Sequence, residues 1–365
     1  MRVRIITDDF TSALDGTACF AERGWDTAVL TRQDSLARAA VVSLDTDTRE
    51  HGDARGTDIA AAAALAWRDA DVLVLQFDST LRGRVARDCL AVRAASDRRK
   101  LLIAAAFPSA GRTTEGGRVL VHGVPVEQTA FGRDPSLPVH ESHIPALFAA
   151  HGVAVAVARE ACDARSLLEH HDAVAVDART EADLDAIAAL FASRHDLLWA
   201  GSTGLLRALA RTLPMSCASA GVRCAAPLAR RPWLVVGSIN PVSRRQLEAA
   251  RSQSHVRWLA TSAECLPGSM ARHAALRDIV EEAVTGIRDG ACDGLVVTGG
   301  ETARRIVDAL PTVSLCVRRE VMPGVPLAEL RAAMGTLPMI TKAGGFGDDD
   351  ALLTCIDTLS ARTRV

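Results

Sequence analysis

Within seven residues, Asp78-Ser79-Thr80-Leu81-Arg82-Gly83-Arg84 offers one carboxylate, two hydroxyls and two guanidiniums. Guanidinium groups bind small anions through charge-assisted, often forked hydrogen bonds, and a glycine beside one allows close approach to backbone. The stretch therefore reads in two ways, as an anion site built on Arg82 or as a turn capped by Asp78 and Ser79. A second cluster, Asp8-Asp9 with Asp15 further on, places adjacent carboxylates before an apolar-periodic run. Either Asp9 or Thr11 can cap that run. The pair also suits orientation of substrate hydroxyls, general-base work or a Mg²⁺ ion.

Glycines carry the chemistry of the second half. Gly237-Ser238, Gly299-Gly300-Glu301-Thr302-Ala303 and Lys342-Ala343-Gly344-Gly345-Phe346-Gly347 each come directly after an apolar run. Backbone N–H groups freed by glycine, with a helix N-terminus next to them, cradle anions. Neither G-x-x-x-x-G-K-[ST] nor G-x-G-x-x-G is matched, which excludes a Walker loop and a dinucleotide fingerprint. Of 42 basic residues only Lys100 and Lys342 are lysine. A lysine kept in an arginine-rich chain, next to two glycines, points to a compact point charge near a phosphate. Asp348-Asp349-Asp350 reads mainly as a helix N-cap.

These clusters sit at the ends of predicted strands. Val3–Thr7 precedes Asp8-Asp9, and Val72–Leu75 precedes the Asp78 turn. Leu101–Phe107 runs into the polar loop that holds Arg112, and Val119–Val126 reads as a hairpin turning at His122-Gly123. Trp233–Val236, Gly294–Thr298 and Leu337–Thr341 precede the three glycine loops. Helices are predicted between them, among them Asp58–Arg68 and Val85–Ala95. Alternating strands and helices predict an α/β protein of two domains, each a largely parallel sheet flanked by helices, with the active site in the cleft between them. The predicted boundaries are 1–213, a linker over 214–232, and 233–365.

Composition narrows the function classes. The 365 residues are 48% hydrophobic and 24% charged, with net charge −2. That balance gives no basis for nucleic-acid or membrane-surface binding through bulk charge. No apolar run reaches the length of a membrane span and no signal-peptide pattern opens the sequence. Nine scattered cysteines without C-x-x-C spacing suit a reduced cytoplasm rather than a zinc or redox site.

Taken in order, these motifs resemble the four-carbon acid sugar kinase family. The resemblance rests on Asp8-Asp9-Phe10-Thr11, Asp45-Thr46-Asp47-Thr48-Arg49, Asp78-Ser79-Thr80-Leu81-Arg82-Gly83 and Phe107-Pro108 through Gly111-Arg112-Thr113-Thr114. It continues through Gly237-Ser238, Gly299 to Ala303, Pro323-Gly324-Val325-Pro326 and Lys342 to Gly347. It implies an N-terminal domain for the sugar acid, a C-terminal domain for ATP, and Mg²⁺. The implied reaction is phosphorylation of the terminal hydroxyl of threonate, erythronate, 3-oxo-tetronate or a related acid. Carried over, the sugar acid lies near Asp8, Asp9, Asp78, Ser79 and Arg82, with Arg112 as a further donor. ATP contacts Ser238, Gly299, Gly300, Glu301, Thr302 and Gly344, with Lys342 offsetting charge. Arg82 is expected to clamp the substrate carboxylate. Asp8 or Asp9 is expected to orient its hydroxyls, and the choice of general base among the three aspartates stays open, as do the metal ligands.

Four positions depart from the family pattern: Ser12 for glycine, Leu75-Gln76 for a lysine pair, Arg84 for asparagine, and a shorter stretch between Gly237-Ser238 and Gly299-Gly300. The alternatives are a kinase for a branched or five-carbon acid, or a member that binds an acidic metabolite without phosphotransfer. The expected partners are the sugar acid and ATP, with a homodimer as the assembly.

Overall fold

The computed structural model describes residues 1–32, 38–49, 54–134, 137–215, 228–253, 256–262, 269–332 and 335–360. Most of the expected linker, 216–227, lies outside the described residues. The chain forms two compact units, one holding the described residues of 1–27 and 38–221, the other those of 28–37 and 222–365.

The first half of the chain runs β1 (Val3–Thr7), α1 (Phe10–Glu22), β2 (Thr27–Leu30), β3 (Val41–Asp45), α2 (Ala54–Ala66), β4 (Val72–Gln76), α3 (Val85–Ala95) and β5 (Lys100–Ala104). It continues with β6 (Arg112–Glu115), β7 (Arg118–Val121), β8 (Val124–Pro125), α4 (Ile144–Ala149), β9 (Ala156–Ala158), α5 (Ala161–His170), β10 (Ala173–Val176), α6 (Glu181–Phe191), β11 (Leu197–Gly201) and α7 (Thr203–Thr212). In the first unit, parallel strands are ordered β3-β1-β4-β11-β5-β10-β9. β1, β3, β4 and β11 are buried along almost their whole length, which is why they read as continuous apolar runs rather than alternating ones. Helices pack on the sheet, with Phe20, Trp199, Phe191 and Leu205 in its core.

Register decides where the polar residues meet. Thr7 lies opposite both Asp45 and Gln76, and Gln76 opposite Gly201. The residues just past these strands are therefore brought to one sheet edge, where ligands bind in open α/β sheets.

The predicted helix over Asp58–Arg68 is α2, which begins earlier, at Ala54. The predicted hairpin turns at His122 and Gly123, both at positive φ, and a third strand, β6, joins it. Positive φ at both turn residues matches the twist of a tight hairpin.

The second half runs β12 (Pro232–Val236), α8 (Pro241–Gln253), β13 (Arg257–Ala260), α9 (Met270–Arg288), β14 (Gly294–Thr298), α10 (Gly300–Ala309), β15 (Thr312–Met322), β16 (Val325–Ala332), β17 (Gly335–Lys342) and α11 (Ala351–Ser360). β13-β12-β14-β17 is parallel, and β17-β16-β15 continues as an antiparallel meander. Val29 of β2 pairs with Leu315 of β15 inside this unit. The meander adds antiparallel strands that the sequence pattern does not place, since 312–332 alternates apolar and charged residues without flanking turn signals beyond Pro323-Gly324. Thr298 lies opposite Val236 and Lys342, so the three glycine loops leave the same edge of the sheet.

Candidate active site

In the first unit the backbone is shaped before the side chains act. Asp9 caps α1, accepting from the Ser12 N–H at 2.9 Å, so the cap reading of one carboxylate holds. The N–H groups of Thr48 and Arg49 both donate to the Asp8 carbonyl at 3.0 Å, which hangs the loop after β3 on the loop after β1. Asp47 in that loop and Leu81 in the Asp78 turn both have positive φ. Leu81 is the costlier of the two, because its side chain is disfavoured there, and such strain clusters at ligand sites. Gly83 has φ +93°, and a Cβ on it would lie 3.0 Å from Asp8 Oδ2. Glycine there lets the turn lie against the carboxylate.

Two carboxylate–guanidinium forks result. Arg49 donates from Nη2 to Asp8 Oδ1 at 2.8 Å and from Nε to Asp8 Oδ2 at 3.2 Å. The same Nη2 donates to Ser12 Oγ at 2.9 Å, and Nη1 lies 3.5 Å from Asp9 Oδ1. Arg82 donates from Nε to Asp78 Oδ2 at 2.9 Å and from Nη2 to Asp78 Oδ1 at 3.1 Å. Asp78 also accepts from the Thr80 hydroxyl and backbone N–H, and Asp134 lies 3.8 Å from Arg82. Phe131 lies under both Arg82 and Arg112, with guanidinium carbons 5.5 and 5.9 Å from the ring centre. Arg112 in turn donates to the Ala110 carbonyl.

The three aspartates differ electrostatically. Burial pushes the Asp8 carboxyl up, and Arg49 only partly offsets it. Burial pushes Asp9 the same way but is outweighed by Arg49, the Thr11 hydroxyl and the Ser12 N–H, leaving it low. Asp78 is also buried, yet Arg82 and Arg49 hold it far below the usual carboxylate range. Asp8 is therefore the carboxylate closest to holding a proton.

Of the residues predicted from sequence, Asp8, Asp9, Asp78 and Arg82 come together, with Arg112 joined through Phe131. Ser79 lies in the Asp78 turn, partly buried. Sequence reasoning passes over Arg49, Ser12 and Phe131 as site residues. Arg49 had a signal, since it ends the polar run after β3; Phe131, from an irregular stretch, had none.

In the second unit the glycine loops meet. The Gly299 N–H donates to the Lys342 carbonyl at 3.0 Å. Gly299 has φ +96° and opens α10 with no side-chain cap, and a Cβ on it would lie 3.5 Å from Ser238 N and 3.4 Å from Thr302 Oγ1. A Cβ on Gly344 would collide with Ser238 Oγ, and one on Gly237 with the Thr302 hydroxyl. Ser238, Gly299, Gly300, Thr302 and Gly344 thus line one backbone-rich end of the sheet. Glu301 turns to Arg305 at 2.7 Å and Arg272 at 3.4 Å. Lys342 is 1% exposed and donates to the carbonyls of Ala343, Gly344 and Phe346.

Among the described residues no three His, Cys, Asp or Glu side chains form a metal cage. No helix of the described residues is long and apolar enough to cross a membrane.

Comparison with known proteins gives these geometries a context. A sugar-binding N-terminal domain family matches residues 3–209, and a nucleotide-binding C-terminal domain family matches 271–352. The D-threonate kinases of Salmonella typhimurium and Cupriavidus necator are 30% and 32% identical, the matches covering 96% and 95% of this chain and 97% and 95% of theirs. A D-erythronate kinase of Heliobacterium modesticaldum is 28% identical over 98% of this chain and 97% of its own, and a 3-oxo-tetronate kinase of Brucella melitensis 24% over 96% and 94%. The Salmonella kinase aligns over 419 positions against the 365 residues here, so it carries insertions that this chain lacks. A structure from Salmonella typhimurium LT2 shares the fold, with TM-score 0.83 and 20% identity over 97% of this chain and 98% of that one. A Bordetella bronchiseptica protein, solved with citrate as a domain-swapped dimer, has TM-score 0.52 and 28% identity over 100% and 99%. The order of the two matched domains is the order of the two sites, carboxylates and guanidiniums first and glycine loops second, and the chain belongs to the four-carbon acid sugar kinase family.

Proposed function

We propose that this chain is an ATP-dependent kinase that phosphorylates the terminal hydroxyl of a four-carbon sugar acid, with threonate as the preferred acid. The observation that carries the reading is the pair of forks, Asp8–Arg49 and Asp78–Arg82, side by side at one strand edge of the unit matched by the sugar-binding family. Two paired guanidiniums can trade a protein carboxylate for a substrate carboxylate, while the freed aspartates take up substrate hydroxyls. Charge-assisted hydrogen bonds of this type contribute about 1.5–3 kcal/mol each. The choice of threonate rests on the higher identity to the two threonate kinases.

In this reading Arg82, assisted by Arg49 and Arg112, holds the acid's carboxylate, and Ser79 and Asp9 orient hydroxyls. Asp8 accepts the proton of the attacking hydroxyl. Residues 1–213, apart from the β2 segment that packs with the second unit, form the sugar-acid domain and 233–365 the nucleotide domain. Ser238, Gly299, Gly300, Glu301, Thr302 and Gly344 receive ATP. Positioning and charge stabilisation supply most of the catalysis in phosphoryl transfer. Bound beside the phosphates, Mg²⁺ would supply positive charge against the transferring group. The protein works in the cytoplasm as a homodimer.

A second reading, binding without transfer, draws on the insertions that the Salmonella kinase has and this chain lacks. One experiment separates them: ADP release with Mg·ATP and a panel of threonate, erythronate, 3-oxo-tetronate and five-carbon acids. Turnover highest with threonate supports the proposal. Turnover confined to a five-carbon acid moves the substrate class, and binding without ADP release anywhere in the panel establishes the second reading.

A further inference from the structure

Lys342 ends β17 beside the glycines and is almost fully buried. Its Nζ lies 3.0 Å from the Ala343 carbonyl, 3.3 Å from that of Gly344 and 3.0 Å from that of Phe346. An ammonium has three N–H donors, and here three carbonyls take them. Two of those carbonyls are gripped again from α8. Ser243 Oγ donates to Gly344 O at 2.8 Å, and Gln246 Nε2 to Phe346 O at 3.0 Å.

In the planar trans peptide the C=O of one residue and the N–H of the next point in opposite directions. With the carbonyls of 343, 344 and 346 drawn toward Lys342, the N–H groups of Gly344, Gly345 and Gly347 are turned away from it. None of the three donates to a backbone or side-chain acceptor among the described residues, whereas the intervening Phe346 N–H closes the turn on Ala343 O at 3.2 Å. Successive outward N–H groups make a concave anion-binding nest. It lies where Gly344 packs on Ser238, beside the uncapped start of α10.

We propose that Lys342 is a positioning residue that builds this nest for a nucleotide phosphate and does not touch the phosphate itself. The proposal rests on the nucleotide reading of the second unit and deepens it: three backbone N–H groups are the phosphate ligands, and the lysine is the scaffold behind them. The bland account of a buried lysine, filling space and satisfying carbonyls, leaves the direction of the three free N–H groups without a role.

The scarcity of lysine makes the test direct. Lys100→Arg leaves Lys342 as the single lysine of the chain, so lysine-selective ¹³C and ¹⁵N labelling reports on it alone. On saturation with Mg·ADP, the Lys342 ammonium should show no through-hydrogen-bond coupling to nucleotide phosphorus, because no phosphate oxygen lies on Nζ. Amides 344, 345 and 347 should shift strongly. A resolved coupling between the Lys342 ammonium and nucleotide phosphorus overturns the proposal. In Lys342→Met, the ATP KM should rise at least tenfold with the sugar-acid KM unchanged, and hydrogen exchange at 344–347 should quicken without ligand. Unchanged exchange and unchanged ATP KM in that variant overturn the proposal too. If the wild type fails to bind Mg·ADP, the nucleotide reading falls and takes the phosphate role with it, while the exchange measurement still decides whether Lys342 holds the turn.

Discussion

Arg49 grips both oxygens of Asp8, at 2.8 and 3.2 Å, in a pair that is almost wholly buried and whose partners come from loops after different strands. Removing one partner of such a pair strands the other as an uncompensated buried charge, at a cost of about 3–5 kcal/mol. Arg49→Ala should therefore lower the unfolding midpoint clearly and abolish measurable sugar-acid binding. Arg49→Lys should recover stability better than activity, since an ammonium cannot fork onto Asp8 and reach Ser12 together. Thermal unfolding and sugar-acid KM measured on both variants check this, and full activity in Arg49→Lys would remove the fork from the mechanism.

Asp8 and Asp9 are neighbours with opposite electrostatic tendencies, which assigns them different work. Asp8→Asn should lower kcat by about two to four orders of magnitude, the range expected for loss of a general base. Asp9→Asn keeps a side-chain oxygen for the cap and should cost little stability, with a smaller loss in kcat. Because burial holds the Asp8 carboxyl up, the wild-type rate should fall on the acid side as that group gains its proton. Comparable kcat for the two variants would contradict the assignment.

Much of this was legible in the sequence, for a physical reason. β1, β4, β12 and β14 are buried apolar runs, and the segment after each is polar or glycine-rich, so strand ends and site motifs announce one another. Pairing across distance could not be read. Asp78 and Arg82 stand four apart and suggest each other, yet the motif alone leads one to expect Arg82 to await a substrate rather than to fork onto Asp78. Asp8 and Arg49 stand 41 apart and meet only through the register of β1 with β3. Lys342 stood out by its rarity, but rarity says nothing of direction, and its ammonium points into its own loop.

Asp78 gives a pH dependence of stability with a definite sign. Its folded-state pKa lies below the unfolded value of about 3.9, so the stabilising contribution is present above that value and is lost as pH falls below it. Asp78→Asn should flatten the acid side of a plot of unfolding free energy against pH. An unchanged acid slope would mean that the Arg82 fork contributes nothing to stability.

Gly299 and Gly344 test the second unit without altering charge. At φ +96°, Gly299→Ala forces a side chain into a backbone region that favours glycine, and Gly344→Ala drives a methyl into Ser238 Oγ. Both should raise the ATP KM tenfold or more while leaving the sugar-acid KM near wild type. Gly290→Ala, also at positive φ but with open space around its Cβ, is the control for strain away from the loops.

Lys342 carries two pH effects of opposite sign. Burial lowers it to about 8, and the facing thiol of Cys355 on α11, pushed up to about 12, stays neutral across that range. Ser243 and Gln246 of α8, which grip the same turn, do not titrate, and the carboxylates of Asp348, Asp349 and Asp350 stand at the far end of the loop. Between about pH 8 and 10.4 an unfolded lysine keeps a proton that the folded one has released, so unfolding free energy should rise with pH. Over the same interval the neutral amine turns a lone pair on one of its carbonyls, the nest loosens, and ATP affinity should fall. Chemical denaturation and Mg·ADP titration along one pH series measure both. Lys342→Met should remove the two trends together, whereas ATP affinity that holds steady through about pH 9 would show that the charge on Lys342 does not maintain the turn.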